Sequence, residues 1–337
     1  MIDVLVAGGG PGGLAAAVHA ALAGMEAVVV EPRTAPVDKA CGEGIMPSGA
    51  RHLRFLGVDV DGYPLRGIAY VQGPRRATAA FRGATGLGVR RTVLHSALYR
   101  RAAELGVRVV RGRIEAVEQS SDTVRAAGLR ARWLIAADGL HSPVRRSLGL
   151  DVADRRPRRY GLRRHYRVRP WSDFVEVHWS RGGEAYVTPV AEDLVGVAVL
   201  STDRCGYDEH LARFPRLAAL LAGPPVGGVR GAGPLRRRVR TRVAGRVLLV
   251  GDAAGYVDAM TGEGVALALA SAQAAVRCLA RGRPQDYEQR WRGLSRRHRL
   301  LTEGLVRLSA HPAASRLVVP AASRIPPLFN AAVHALQ

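Results

Sequence analysis

The chain opens with an almost unbroken apolar run, Ile2-Asp3-Val4-Leu5-Val6-Ala7, the pattern of a strand covered on both faces of a parallel sheet. Glycines interrupt it. Leu14, Ala17, Val18, Ala21 and Leu22 then recur at helical spacing as far as Gly24, a residue suited to ending a helix. Ala27 to Val30 is a second apolar run, closed by Glu31. The pattern predicts one βαβ unit.

Leu94, Leu98, Ala102 and Leu105 predict a helix over Arg91–Gly106, and Val107–Val110 and Trp133–Ala137 read as strands. From Tyr160 to Ser201 the period changes to two. Phe174–Trp179, Ala185–Val190 and Leu194–Leu200 are predicted as strands of an antiparallel sheet, separated by turn-like Arg181-Gly182-Gly183 and Ala191-Glu192-Asp193. Val247–Val250 returns to a buried strand, and long helices follow. Pro312, Pro320 and Pro326-Pro327 predict short, broken helices in the tail.

Composition narrows the class. With 337 residues the chain is long enough for a large core with an added lobe. Cys41, Cys205 and Cys278 form no CxxC pair, which argues against a disulfide framework and a structural zinc site. No basic leader with a cleavage site precedes the first strand, and no long apolar run suggests a membrane span, so a cytoplasmic location is expected. The net charge of +22 comes almost wholly from arginine, since Lys39 is the single lysine. The arginines are scattered from Arg33 to Arg324, and aromatics are few. That pattern reads as a solvated basic surface with no nucleic-acid partner. It leaves room for peripheral contact with an anionic membrane or a carrier protein.

Candidate chemistry begins at Gly8-x-Gly10-x-x-Gly13, with Pro11 and Gly12 inside it. Gly8 permits the turn, Gly10 lets backbone approach a pyrophosphate, and Gly13 lets helix and strand pack closely. Glu31 stands where a carboxylate binds ribose hydroxyls. This motif predicts a dinucleotide cofactor without choosing between NAD and FAD.

Two further strings carry a resemblance that makes the choice. Ala137-Asp138-Gly139-Leu140-His141-Ser142, with Arg145 beyond, is similar to the DG motif of flavin-dependent aromatic hydroxylases and their relatives. Leu248-Leu249-Val250-Gly251-Asp252-Ala253-Ala254 resembles the GD motif of the same superfamily. The resemblance implies FAD, with Asp252 on the ribityl chain, Asp138 near the pyrophosphate and Arg91 as a further contact. Asp38-Lys39-Ala40-Cys41-Gly42-Glu43-Gly44-Ile45-Met46-Pro47 and Asp258–Val265 are similar to the geranylgeranyl-reductase-like branch. Thr261 to Gly264 forms a glycine turn opening a helix, whose free N–H groups favour negative charge on the flavin N1–C2=O edge. The expected cofactor residues are therefore Gly8, Gly10, Pro11, Gly12, Gly13, Glu31, Arg33, Cys41, Gly42, Gly44, Arg91, Asp138, Gly139, Gly251, Asp252, Gly262, Glu263, Gly264 and Val265.

The chain also departs from these relatives. The reductases carry Tyr-x-Trp-x-Phe-Pro on the substrate sheet; here the stretch is Glu184-Ala185-Tyr186-Val187-Thr188-Pro189, without the Trp and Phe. The Trp-x-Trp-x-Ile-Pro signature of flavin halogenases is absent. No second GxGxxG marks a fixed NAD(P)H domain, which implies transient docking of NAD(P)H.

Other tempting residues have plain readings. Cys41 reads as a small packing residue beside the flavin. The strand face bearing Arg159, Arg163, His165 and Arg167 reads as solvated. His178 and Tyr186 read as core or surface, His141 as structural, and neither Asp258 nor Glu263 is assigned acid–base work. No metal site and no catalytic side chain is named, because the flavin carries the hard chemistry.

The expectation is an α/β fold: a Rossmann-like FAD-binding domain, an antiparallel substrate domain and C-terminal helices. The boundaries are 1–70, 88–155 and 240–285 for the first, 71–87 and 156–239 for the second, and 286–337 for the helical segment. The expected function is an FAD-dependent, NAD(P)H-using monooxygenase that uses O2 to hydroxylate a hydrophobic aromatic or polyketide-type metabolite. The alternative is an FAD-dependent reductase of isoprenoid double bonds. A third reading is a non-catalytic FAD-binding partner.

Overall fold

Strand Ile2–Ala7 lies inside a parallel sheet in the computed structural model, which describes residues 1–335. It pairs in parallel with Leu129–Ala136 on one side and Ala27–Glu31 on the other. Arg108–Arg111 extends the sheet beyond Ala27–Glu31, and Val247–Leu249 extends it beyond Leu129–Ala136. Short antiparallel strands complete its eight strands. Val4, Leu5 and Val6 have no exposed surface, which explains the unbroken apolar run.

Helices Pro11–Leu22, Arg91–Glu104 and Gly264–Ala280 cover this sheet. The second of them stops at Glu104, and Gly106 follows in the left-handed conformation, φ +74, that commonly ends helices.

A second sheet has seven strands in the order Pro225–Ala232, Tyr160–Arg167, Leu194–Ser201, Gly183–Ala191, Phe174–Ser180, Gly67–Gln72, Arg75–Ala80. The strands expected to pair antiparallel, Phe174–Ser180, Gly183–Ala191 and Leu194–Ser201, do so, and a seam outside that expectation is parallel, where Phe174–Ser180 runs beside Gly67–Gln72. A parallel neighbour needs a long crossover, and here the intervening chain returns through the first domain. The expected boundary at residue 70 is corrected for the same reason. Strand Gly67–Gln72 belongs whole to the second sheet, with Ile68 and Ala69 buried in it.

A three-stranded sheet of Gly44–Ile45, Gly86–Gly88 and Tyr63–Leu65 stitches the two layers. A Cβ on Gly88 would fall 1.7 Å from the Pro189 carbonyl oxygen, so the sheets meet backbone to backbone there.

Helix Asp286–Ala310 runs for 25 residues and is followed by Pro312–Arg324 and Pro326–His334. Pro320 lies inside its helix without ending it, contrary to the expected break. Val319, Phe329 and Val333 cover the outer strands of the second sheet, with the Phe329 ring 4.6 Å from that of Tyr70. No helix among the described residues is long and apolar enough to cross a membrane.

Candidate active site

A cavity of about 500 Å³ lies between the glycine loops of the parallel sheet and one face of the second sheet. One end is lined by glycine backbone and charge, the other by apolar side chains.

The charged end begins where strand Ile2–Ala7 stops. Gly8 has φ +98, and a Cβ there would lie 2.7 Å from the Ala137 carbonyl oxygen. Gly13 does not line the cavity; a Cβ on it would strike the Gly8 carbonyl oxygen at 1.8 Å. Its role is helix–strand packing, as the spacing predicts. Gly10, Pro11 and Gly12 do line the cavity, and helix Pro11–Leu22 starts there with no side-chain cap. Its first N–H groups are therefore available to an anion. The Glu31 carboxylate accepts from the Gly9 N–H at 2.7 Å and from Arg33 Nε at 2.7 Å. Burial opposes its charge, yet the hydrogen bonds from Arg33 and Gly9 prevail and hold its carboxyl below the ordinary value.

The two aspartate motifs meet at this cavity. Asp138 Oδ2 accepts from the Val144 N–H at 3.1 Å, whereas Oδ1 is buried without a partner among the described residues. Burial pushes this carboxyl up. Gly139, φ +83, passes so close to Lys39 that a Cβ would lie 2.9 Å from Nζ. Buried Arg145 binds the motifs together: its guanidinium donates to Leu140 O at 3.0 Å, Ala253 O at 3.2 Å and Asp151 Oδ1 at 2.6 Å. Gly251, φ +57, opens a single turn of 3₁₀ helix, Gly251–Ala254, and sets Asp252 on the cavity wall. Lys39 shares that wall. Burial lowers its ammonium group, and the Asp252 charge works in the other direction. Sequence reasoning gave Lys39 no role; its being the single lysine, inside a glycine-rich loop, was the available signal.

Gly262, Gly264 and Val265 line the cavity at the start of helix Gly264–Ala280, which also lacks a side-chain cap. The Glu263 side chain does not line it. Its carboxylate bonds His298 Nδ1 at 2.8 Å on helix Asp286–Ala310, so any cofactor contact by this residue falls to its backbone.

Cys41, Gly42 and Gly44 bring loop 38–46 to the same cavity. Glu43, which also lines the cavity, holds the loop in place: its carboxylate meets His165 Nε2 at 2.6 Å and accepts the Arg91 backbone N–H at 2.9 Å. Arg163 bonds Asp38 Oδ1 at 2.5 Å, and Arg159 bonds Asp258 Oδ2 at 3.0 Å and Glu184 Oε2 at 2.6 Å. Arg159, Arg163 and His165 are thus buried, not solvated as expected; only Arg167 is exposed, paired with Asp193. The partner carboxylates come from remote segments, which strand periodicity does not reveal. Burial pushes the Cys41 thiol up. His141 lines the cavity and approaches Arg237 Nη2 at 3.1 Å, whereas His178 pairs with Glu176 away from it.

The apolar end is formed by Leu162, Val175, Ala198, Leu200 and Leu235, with Tyr186 donating its hydroxyl to the Met260 carbonyl at 2.9 Å.

The residues fit FAD. Asp138 Oδ1 and Arg91 Nε are buried without partners among the described residues, as an acceptor and a donor awaiting a polar ligand would be. A Cβ on Gly42 would meet nothing within 4 Å, so that wall is bare backbone facing open space. An uncapped helix start suits a pyrophosphate, and Glu31 suits a ribose.

Comparisons agree. Residues 1–180 match the FAD binding domain family. Menaquinone reductase of Mycolicibacterium smegmatis is 30% identical over 333 residues, covering 88% of this chain and 80% of that protein. Digeranylgeranylglycerophospholipid reductase 1 of Methanothermobacter thermautotrophicus is 29% identical over 294 residues, covering 78% and 73%. The crystal structure of a geranylgeranyl bacteriochlorophyll reductase-like protein from Thermoplasma acidophilum superposes with a TM-score of 0.79 at 24% identity, covering 94% of this chain and 90% of that one.

Proposed function

The chain belongs to the FAD binding domain family of flavin-dependent oxidoreductases, and from that premise we propose that it is an FAD-dependent reductase of a double bond in an isoprenoid-type substrate. NAD(P)H serves as a transiently docked electron source. The observation that carries this reading is the junction at Cys41. A protonated thiol stands on the cavity wall next to the bare backbone of Gly42, and the cavity continues into an apolar chamber. The names of the two reductase relatives favour the same use of the flavin.

Once bound and reduced by NAD(P)H, FAD would supply the hydride equivalent. The protein's own groups do the rest. Saturating a carbon–carbon double bond takes a hydride on one carbon and a proton on the other. Burial keeps a proton on Cys41 Sγ; the positive charge of Arg91 favours the thiolate left after transfer, the Glu43 charge opposes it, and the Glu43 backbone N–H and the Arg163 charge add smaller support. Asp252, Asp138 and Glu31 orient the cofactor. Leu162, Val175, Leu200 and Leu235 exclude water and receive an apolar chain. The apolar substrate class and the +22 net charge together support peripheral contact with an anionic membrane.

One observation favours the monooxygenase reading. The second sheet lacks the Trp and Phe of the reductases, and Thr188 on that sheet lines the cavity and donates to the Gly42 carbonyl of loop 38–46 at 2.8 Å. Anaerobic turnover separates the two. A product two hydrogens heavier, formed with NADPH under argon, is the expected result. Product formed only with consumption of O2 would transfer the assignment to oxygenation. A flavin that NADPH never reduces, with or without prenyl or phenolic substrates, would leave the non-catalytic reading.

A further inference from the structure

A second cavity, of about 280 Å³, lies behind the turn that carries Asp252. It shares Gly251, Asp252, Tyr256 and Gly264 with the first, so this segment is a wall common to both. The other walls are the segment Arg236–Arg242 and helix Asp286–Ala310. Its lining carries Arg236, Arg237, Arg238, Arg242, Arg292 and Arg299, against the carboxylates Asp252 and Glu303.

Three of these arginines are neutralised nearby. Arg236 pairs with Asp154 and Glu303, and Arg242 and Arg292 share Glu288. The other three are not. Among the described residues Arg237 donates to Leu140 O, Arg236 O and His141, with no carboxylate partner. Arg238 and Arg299 have no carboxylate partner among the described residues. Burial, followed by the charge of Arg145, holds the Arg237 guanidinium below its ordinary value, as expected where positive charge is in excess. Trp291 adds a flat wall: Arg242 lies 3.9 Å and Arg299 5.7 Å from its ring, and its buried indole N–H has no partner among the described residues. On an open helix face, unpaired arginines are merely solvated. Arg238 and Arg299 are exposed and Arg237 is half-buried, but all three line one concavity, where their fields reinforce one another and their planar forks match phosphate oxygens.

We propose that this second cavity binds a phosphate-bearing small molecule with a pyrophosphate-type headgroup, held by Arg237, Arg238 and Arg299. Two sources share that chemistry, a nicotinamide dinucleotide phosphate and a prenyl diphosphate. Choosing between them rests on the proposed reductase function, whereas the anion site itself does not.

The test is calorimetric titration of the FAD-loaded protein with inorganic pyrophosphate, at low and at physiological ionic strength. Saturable one-site binding that weakens with salt is expected. The double variant Arg238→Ala, Arg299→Ala should weaken it roughly tenfold or more while the flavin spectrum stays unchanged, since no acid loses its partner. No saturable binding to the wild type, or equal binding to the double variant, overturns the site. Competition then names the source. Displacement of pyrophosphate by NADPH and not by NADH assigns a dinucleotide phosphate. Displacement by geranylgeranyl diphosphate assigns a substrate headgroup. Displacement by neither means an adventitious ion only and overturns the proposal. Binding is read without turnover, so failure of the reductase reading would leave this result standing, and the reverse.

Discussion

His165 Nε2 stands 2.6 Å from Glu43 Oε2, and both side chains are almost wholly buried, at 2% and 1% exposure. The contact joins strand Tyr160–Arg167 of the second sheet to loop 38–46, which carries Cys41 and Gly42 to the cavity. Glu43 adopts φ +60, a left-handed conformation unusual for a residue with a side chain. Its hydrogen bonds hold it there. His165→Ala leaves a buried carboxylate short of a partner and should cost about 1–3 kcal/mol in urea unfolding. It should also weaken FAD, because the loop loses its anchor. His165→Gln, which keeps a donor, should recover part of both losses. Unchanged stability and FAD affinity in His165→Ala would remove the anchoring role.

Two glycines separate folding from cofactor binding. A methyl on Gly13 meets backbone at 1.8 Å, so Gly13→Ala should fail to fold or lose several kcal/mol, on the order of a severe core overpacking. A methyl on Gly42 meets nothing within 4 Å of protein, yet Gly42 lines the cavity. Gly42→Ala should therefore keep its melting temperature and bind FAD more weakly in a flavin-fluorescence titration. A fall in stability without loss of FAD affinity would contradict the placement.

Asp252→Ala should lose the yellow colour on purification. A hydrogen bond to a charged group contributes about 1.5–3 kcal/mol, or roughly ten- to a hundredfold in FAD affinity. Asp252 is on the wall of both cavities, so pyrophosphate binding by the variant should strengthen as a negative charge leaves the second one. Retention of FAD at wild-type affinity would withdraw the ribityl assignment.

The dinucleotide loop was legible because backbone geometry dictates it: Gly8 and Gly13 are required by contacts of under 3 Å that any sequence with this turn must respect. Strands such as Leu194–Ser201 were legible as short apolar runs between turn residues, and this one is covered on both faces, by Val195, Val197 and Val199 on one and Ala198 and Leu200 on the other. The parallel seam between Phe174–Ser180 and Gly67–Gln72 was not, because pairing partners so far apart leave no local signal. The arginines of the second sheet misled for a related reason. Arg159 and Arg163 look solvated until Asp258, Glu184 and Asp38 arrive from elsewhere in the chain. Glu263 matches the family motif in sequence, but His298, on a later helix, takes its carboxylate. The second cavity draws its arginines from two separated segments and has no motif at all.

His19 makes stability fall in mild acid. It is buried in helix Pro11–Leu22, and burial, then the charges of His52 and Arg277, bring its imidazole from 6.5 down to about 4. The folded state therefore favours the neutral ring. Its contribution is complete above the unfolded value of 6.5 and is lost as pH falls from there towards about 4. At roughly 1.4 kcal/mol per unit the loss is about 3 kcal/mol. Burial lowers His52, His95, His141 and His210 as well, so they add to the same fall, and His19→Gln should reduce the slope of urea midpoint against pH in that window without removing it. Glu176, lowered to about 2 by its partners despite burial, acts only below 4.5 and does not confuse the comparison above that pH. Parallel curves for the two proteins between pH 6.5 and 4.5 would exclude His19 as the cause.

On the proposed reductase reading, Cys41 is the residue that separates reduction of a double bond from oxygenation. Burial raises its thiol, so iodoacetamide should modify it slowly at neutral pH and faster only as the solution becomes strongly alkaline. Bound FAD should slow it further, since Cys41 lines the cavity. Cys41→Ala removes the proton and little volume. NADPH should still reduce the flavin at the wild-type rate, because that step does not use Sγ. Saturation of a prenyl substrate should slow by about 10²–10⁴-fold, the usual worth of a positioned proton donor. In D2O the wild type should place one deuterium from solvent on the product with fixed stereochemistry, and the variant should lose that control. If Cys41→Ala reduces the substrate as fast as the wild type, the proton comes from elsewhere and the thiol is a packing residue. If instead the variant keeps full O2-dependent hydroxylation of a phenol, the apolar chamber serves oxygenation, and Cys41 has no part in the chemistry.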